Sequence, residues 1–187
     1  IGKVHTIRVD LPTGHSFQEA SFEECPVPEG FDYDLWLGQA PVAPYCPVRI
    51  HWNFRWILDY SGGMLTDWGA HMIDLAQWGN DTEYTGPVEV EGRGEFPKEG
   101  LFNTATTFRI ECKFSNGATM IVRSKSPALR FEGTDGWIAN NGWRAPLEAS
   151  DPKILEEVIG PDETQIFTCP EGEQRNFLDC VKSRKLC

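Results

Sequence analysis

Apolar residues recur at helical spacing between Met64 and Trp78. At about 100° per residue, Leu65, Trp68, Met72, Leu75 and Ala76 share one face, and Asp67, His71, Asp74 and Trp78 form a second stripe roughly opposite. Gly62–Gly63 breaks whatever precedes, and Gly79 and Asn80 are good stop residues, so the spacing predicts a helix over 64–78. After it the period changes to two. Val88 and Val90 alternate with Glu89 and Glu91, and Phe108, Ile110, Cys112 and Phe114 alternate with Arg109, Glu111 and Lys113. Asn116–Gly117 then signals a hairpin, with a return strand near 118–123. Another strand is predicted near 129–138, broken at 133–136, and residues 1–10 read as a strand before a turn at 12–14.

These elements add up to an α+β fold: an open, predominantly antiparallel β-sheet with helices packed on one face. The 64–78 helix is the natural cover for the apolar face. The charged face is left for water or for another subunit. Residues 1–187 are expected to form one domain. Prolines at 26, 28, 41, 44 and 47 forbid a long helix or central strand over 25–49. The aromatic residues there point to an ordered loop pinned across the core, and a second reading makes it one wall of a pocket. Short helices are expected from Asp151 to Val158 and from Gln174 to Arg184.

Composition narrows the partners. The 187 residues carry 28 acids against 17 bases, a net charge of -11, which disfavours nucleic acid or an anionic membrane surface. No apolar run reaches the roughly 18 residues that a membrane helix needs. The six cysteines show no Cys-x-x-Cys pair and read as free thiols, which slightly favours a cytoplasmic setting. The chain begins at Ile1 without an initiator Met, so it reads as a fragment, and an export signal upstream stays open. Asn80-Asp81-Thr82 fits a glycosylation pattern that is too short to weigh.

The chemistry centres on Asp67 and His71. Four positions apart on a helix, they lie on one face, one turn apart. A carboxylate can set an imidazole's tautomer while the ring exchanges a proton near neutral pH. Many such pairs are only surface salt links. Here Asp67 falls in the first helical turn, where backbone N–H groups favour an anion. Phe54-Arg55-Trp56 adds a cation and aromatic rings, so Arg55 and Trp56 are candidate substrate contacts, Trp56 equally a core residue. Asp74 continues the polar stripe, as a substrate contact or as a structural hydrogen bond. Asp67, His71 and His51 could start a metal site, but no fourth ligand is evident, and no metal is expected. Gly92-Arg93-Gly94 leads into no helix, so it fails as a dinucleotide fingerprint, and no cofactor-binding residues are expected in this chain.

The run SGGMLTDWGAHMID over 61–74 resembles the signature helix of the Gfo/Idh/MocA oxidoreductases, with the Asp-x-x-x-His spacing at Asp67 and His71. IGKV at the start, DYDLWLGQAP, FRW with DYSGG, RFEGTDGWI and NFLDCVKSRK extend the resemblance over essentially the whole chain. It implies the C-terminal substrate domain of an NAD- or NADP-dependent oxidoreductase acting on a sugar or polyol. His71 would handle the proton at the reacting hydroxyl, with Asp67 positioning substrate and imidazole. The partners implied are the small-molecule sugar or polyol, an N-terminal Rossmann domain that holds the cofactor, and further copies meeting through the open sheet face. The chain alone would then be inert. Two alternatives stand beside this: a parent that uses NAD transiently to cleave glycosides, and a non-catalytic binding or oligomerisation module.

Overall fold

The computed structural model describes residues 1–14, 22–142, 144–163 and 169–186. The chain forms two compact units, Ile1–Leu155 and Glu156–Cys187. The first is built on a seven-stranded sheet of β1 (Val4–Leu11), β2 (Glu89–Glu95), β3 (Thr107–Lys113), β4 (Thr119–Ser124), β5 (Ala128–Gly133), β6 (Trp137–Asn140) and β7 (Leu147–Ala149), in the spatial order β2-β3-β4-β1-β5-β6-β7. Every neighbouring pair is antiparallel except β1 with β4. β4 and β5 therefore act as a split hairpin that straddles β1, and the Lys125 N–H of their short connection bonds the Leu11 carbonyl at 2.6 Å.

β1 holds that central place because of what it buries. Ile7, Val9 and Leu11 are 0% exposed, and burial of each such side chain contributes about 1.5–3 kcal/mol. They meet Phe108, Phe114, Met120 and Val122 from β3, β4 and their turn, and Met72 and Ala76 from α2 (Met64–Gly79). A short helix, α1 (Tyr33–Leu37), precedes it, capped by the Asp32 carboxylate accepting from the Leu35 N–H at 2.9 Å. Gly69 of α2 lies against Leu11, and Gly79 lies against Phe131, whose cross-strand partner is Ile7. α2 thus runs antiparallel to β1, with its N-terminal turn at the C-terminal end of the central strand.

The packed stripe of α2 is Leu65, Trp68, Gly69, Met72, Ile73 and Ala76, whereas Leu75 is exposed. The predicted face was rotated by a fraction of a turn, because Gly69 carries no side chain to mark it as a contact position. The end of α2 is fixed by Asn80, which is buried and accepts at both its carbonyl and its side-chain oxygen from Asn116 Nδ2 at 3.2 Å. Its amide also donates to Thr82 Oγ1 at 3.2 Å, so the Asn80-Asp81-Thr82 sequence serves as a helix stop tied to the β3–β4 turn.

The loop over 25–49 has its own small core of Tyr33, Leu37, Tyr45 and Ile50, to which Phe31, Trp36 and Tyr60 add. Leu35, in α1, instead points to solvent. The opposite face of the sheet is a lattice of charges. Arg8 donates to both oxygens of Glu132 (3.1 and 3.2 Å), Arg130 adds a bond at 2.8 Å, and Arg123 forks onto Asp10. Cys25, Cys46, Cys112 and Cys169 are free thiols, and Cys187 lies outside the described residues. Burial pushes the Cys112 thiol up, as suits a packing residue. No helix among the described residues is long and apolar enough to cross a membrane. In the unit Glu156–Cys187, α3 (Glu173–Ser183) matches the helix expected from Gln174 to Arg184. The helix expected from Asp151 to Val158 is instead a short 3-10 stretch, Pro152–Glu156.

Candidate active site

Two short 3-10 turns, Pro47–Arg49 and His51–Trp56, lead into α2. A 3-10 helix has three residues per turn, so side chains at i and i+3 eclipse. This stacks Trp52 over Arg55: the guanidinium carbon lies 3.7 Å from the indole centroid. Trp56 approaches from within, at 4.8 Å. Arg55 is held between two rings, one 68% exposed and the other 2% exposed.

Past the turn, Gly63 caps α2 with φ of +65°, and its N–H bonds the Arg55 carbonyl at 2.9 Å. A side chain at Gly63 would put its Cβ 2.6 Å from the buried Thr104 Oγ1. Thr66 closes the loop, accepting from the Gly62 N–H at 3.0 Å and donating to the Gly63 carbonyl at 3.2 Å. These bonds bring the first turn of α2 onto Arg55. Arg55 Nη1 donates to both carboxylate oxygens of Asp67 at 3.0 Å. The side chains are 14% and 30% exposed, so this charge-assisted pair is partly shielded from solvent.

His71 sits one turn further along α2, exposed, and its imidazole makes no hydrogen bond or ion pair among the described residues. The Asp67 carboxylate is engaged by Arg55, while the His71 imidazole faces outward on the same side of the helix. Asp74 is exposed on that stripe too. Trp56 lies inside the core with Ile57 and Phe102, where its ring backs Arg55. The structure therefore brings Arg55, Trp56 and Asp67 into one stack with His71 beside it, and leaves Asp74 outside that stack. Trp52 was missed by sequence reasoning. Its signal was the Trp-x-x-Arg spacing, which is legible only once 52–56 is known to be 3-10.

Beside this stack, Trp36, Leu37, Ala40, Phe54, Asp59 and Tyr60 line an open cleft of ≈ 410 Å³. Tyr60 is set by the Arg49 guanidinium, which donates to its hydroxyl at 3.3 Å, and by an edge contact from Trp36 at 5.1 Å. Burial pushes the Tyr33 phenol in this cluster up. The aromatic loop thus has a core of its own and also supplies one wall of a cleft.

Among the described residues no three His, Cys, Asp or Glu side chains gather closely enough to hold a metal ion. The glycine-rich fingerprint of a dinucleotide site is likewise not formed among the described residues. Gly92-Arg93-Gly94 lies inside β2, an exposed antiparallel strand, rather than in a strand-to-helix turn. α2 follows a 3-10 turn, so among the described residues no strand passes through a glycine-rich turn into a helix.

Fold and site together define an α+β domain that carries an arginine-clamped acid and an exposed imidazole at the end of its central strand. The chain belongs to the Gfo/Idh/MocA oxidoreductase family: its C-terminal alpha/beta domain model matches residues 13–187. Comparison with curated proteins finds no match.

Proposed function

We propose that this chain is the substrate-binding half of an NAD- or NADP-dependent oxidoreductase that acts at a hydroxyl carbon of a sugar or polyol. The observation that carries the reading is the Arg55-clamped Asp67 one helical turn from the exposed His71. The nicotinamide, held by a separate nucleotide domain, supplies the hydride acceptor. The groups of this chain serve the hydroxyl end of the substrate.

Asp67, fixed by Arg55, offers carboxylate lone pairs to substrate hydroxyls in a set orientation. His71 takes the proton of the reacting hydroxyl, and in the reverse direction returns it. Trp56 backs Arg55 from inside, and Asp74 extends the acceptor stripe toward a longer substrate. The chain alone is then inert, because the dinucleotide is held by the separate nucleotide domain. Copies of the domain meet through the charged face of the sheet.

The test is turnover by the full-length protein with NAD or NADP and a panel of D-glucose, D-galactose, myo-inositol and scyllo-inositol. Removal of a general acid–base costs about 10²–10⁴-fold in rate, so His71→Ala should lower kcat by that factor. An unchanged kcat removes His71 from the mechanism, and turnover by residues 1–187 alone removes the division of labour.

A further inference from the structure

The reading above leaves one exposed aromatic at the site without a task. Trp52 is 68% exposed, although its inner face is packed at 3.7 Å on the Arg55 guanidinium. Trp52 and Trp56 both lie against the Arg55 guanidinium, at 3.7 and 4.8 Å, and two 3.0 Å bonds tie Arg55 to Asp67. His51, just before it, has φ of +52°. A non-glycine residue in that region costs about 1–3 kcal/mol and persists where its surroundings enforce it. Here it turns the chain so that the indole closes over Arg55.

We infer that the outer face of Trp52 is a stacking platform for the apolar C–H face of a sugar or cyclitol ring. The proposal deepens the functional reading and rests on it. Such a ring has two kinds of surface. Its flat C–H face is apolar and suits an indole, and its rim of hydroxyls needs fixed acceptors. Trp52 supplies the first, and the guanidinium that carries its indole also holds the Asp67 carboxylate by two 3.0 Å bonds. Arg55 is thus a positioning residue for two contacts at once. Trp52 contributes selectivity: a ring with an axial hydroxyl on the stacked face is lifted off the indole, and one with only axial C–H bonds there lies flat.

The experiment uses the full-length protein and whichever member of the four-compound panel it turns over best. Truncating an aromatic contact of this size weakens binding by about tenfold or more. Trp52→Ala should therefore raise KM by that factor while changing kcat far less, and Trp52→Phe should recover most of the loss. In parallel, the protein labelled with 5-fluorotryptophan, its Trp52 resonance assigned with Trp52→Phe, should show a ¹⁹F shift that saturates with the same compound. Turnover with an unmoved Trp52 resonance overturns the proposal, as does a KM within twofold of the parent's in Trp52→Ala. Failure of the wild-type protein to turn over any member defeats the functional reading, and the platform falls with it.

Discussion

Glu132 shows how one side chain depends on its neighbours across the sheet. The hydrogen bond from Arg8 does most to hold its carboxyl below the usual range; burial opposes this and Arg130 adds to it. Because the folded form ionises more readily than the unfolded one, the pair stabilises the fold above about pH 4.3, the unfolded carboxylate value. That contribution is lost as pH falls through the lower folded value. Arg8→Met should raise the Glu132 pKa, followed by NMR titration, and move the acid-unfolding midpoint upward; an unmoved carboxyl removes Arg8 as the cause. Residues of this kind were half legible. Alternation in 108–114 placed Arg109, Glu111 and Lys113 on one face, but not which partner each would find. Likewise the spacing of Asp67 and His71 put them on one helical stripe, while the guanidinium that holds Asp67 comes from a preceding turn.

The helix α2 was the most legible element, since Gly62–Gly63 and Gly79–Asn80 mark ends that agree with Met64–Gly79. What the pattern could not supply was the reason its first glycine matters. Gly63 combines a left-handed φ with a Cβ position only 2.6 Å from Thr104 Oγ1, whereas Gly117, with φ of +90°, faces open space. Gly117→Ala should therefore cost only the backbone strain, about 1 kcal/mol. Gly63→Ala should cost roughly 1–3 kcal/mol more, as overpacking does, measured by urea unfolding. It should also lower activity of the full-length protein, because the Gly62–Thr66 turn that brings Asp67 onto Arg55 must shift; equal costs at the two sites remove the Thr104 contact as the cause. The element least legible was β7, three residues long and too short to show a period.

At the scale of the molecule, periodicity predicted an open, mostly antiparallel sheet under a helix but not the position of β1. Local alternation carries no information on which distant strand a segment will join, and β1 pairs with both β4 and β5. The face opposite α2 is where copies of the domain are proposed to meet. Arg8 and Arg109 lie there with side chains 37% and 41% exposed, each paired to an acid of its own sheet. The chain should sediment as a dimer or larger species at physiological salt. The double change Arg8→Glu and Arg109→Glu should shift it to monomer, and a monomeric wild type removes the interface. The split hairpin also sets a timetable for the newborn chain. Asp10 and Arg123 are 113 positions apart, so β1 leaves the ribosome long before either strand that will flank it. At 5–20 residues per second this wait is on the order of ten seconds, during which the apolar face of β1 is uncovered and both of its edges are unpaired.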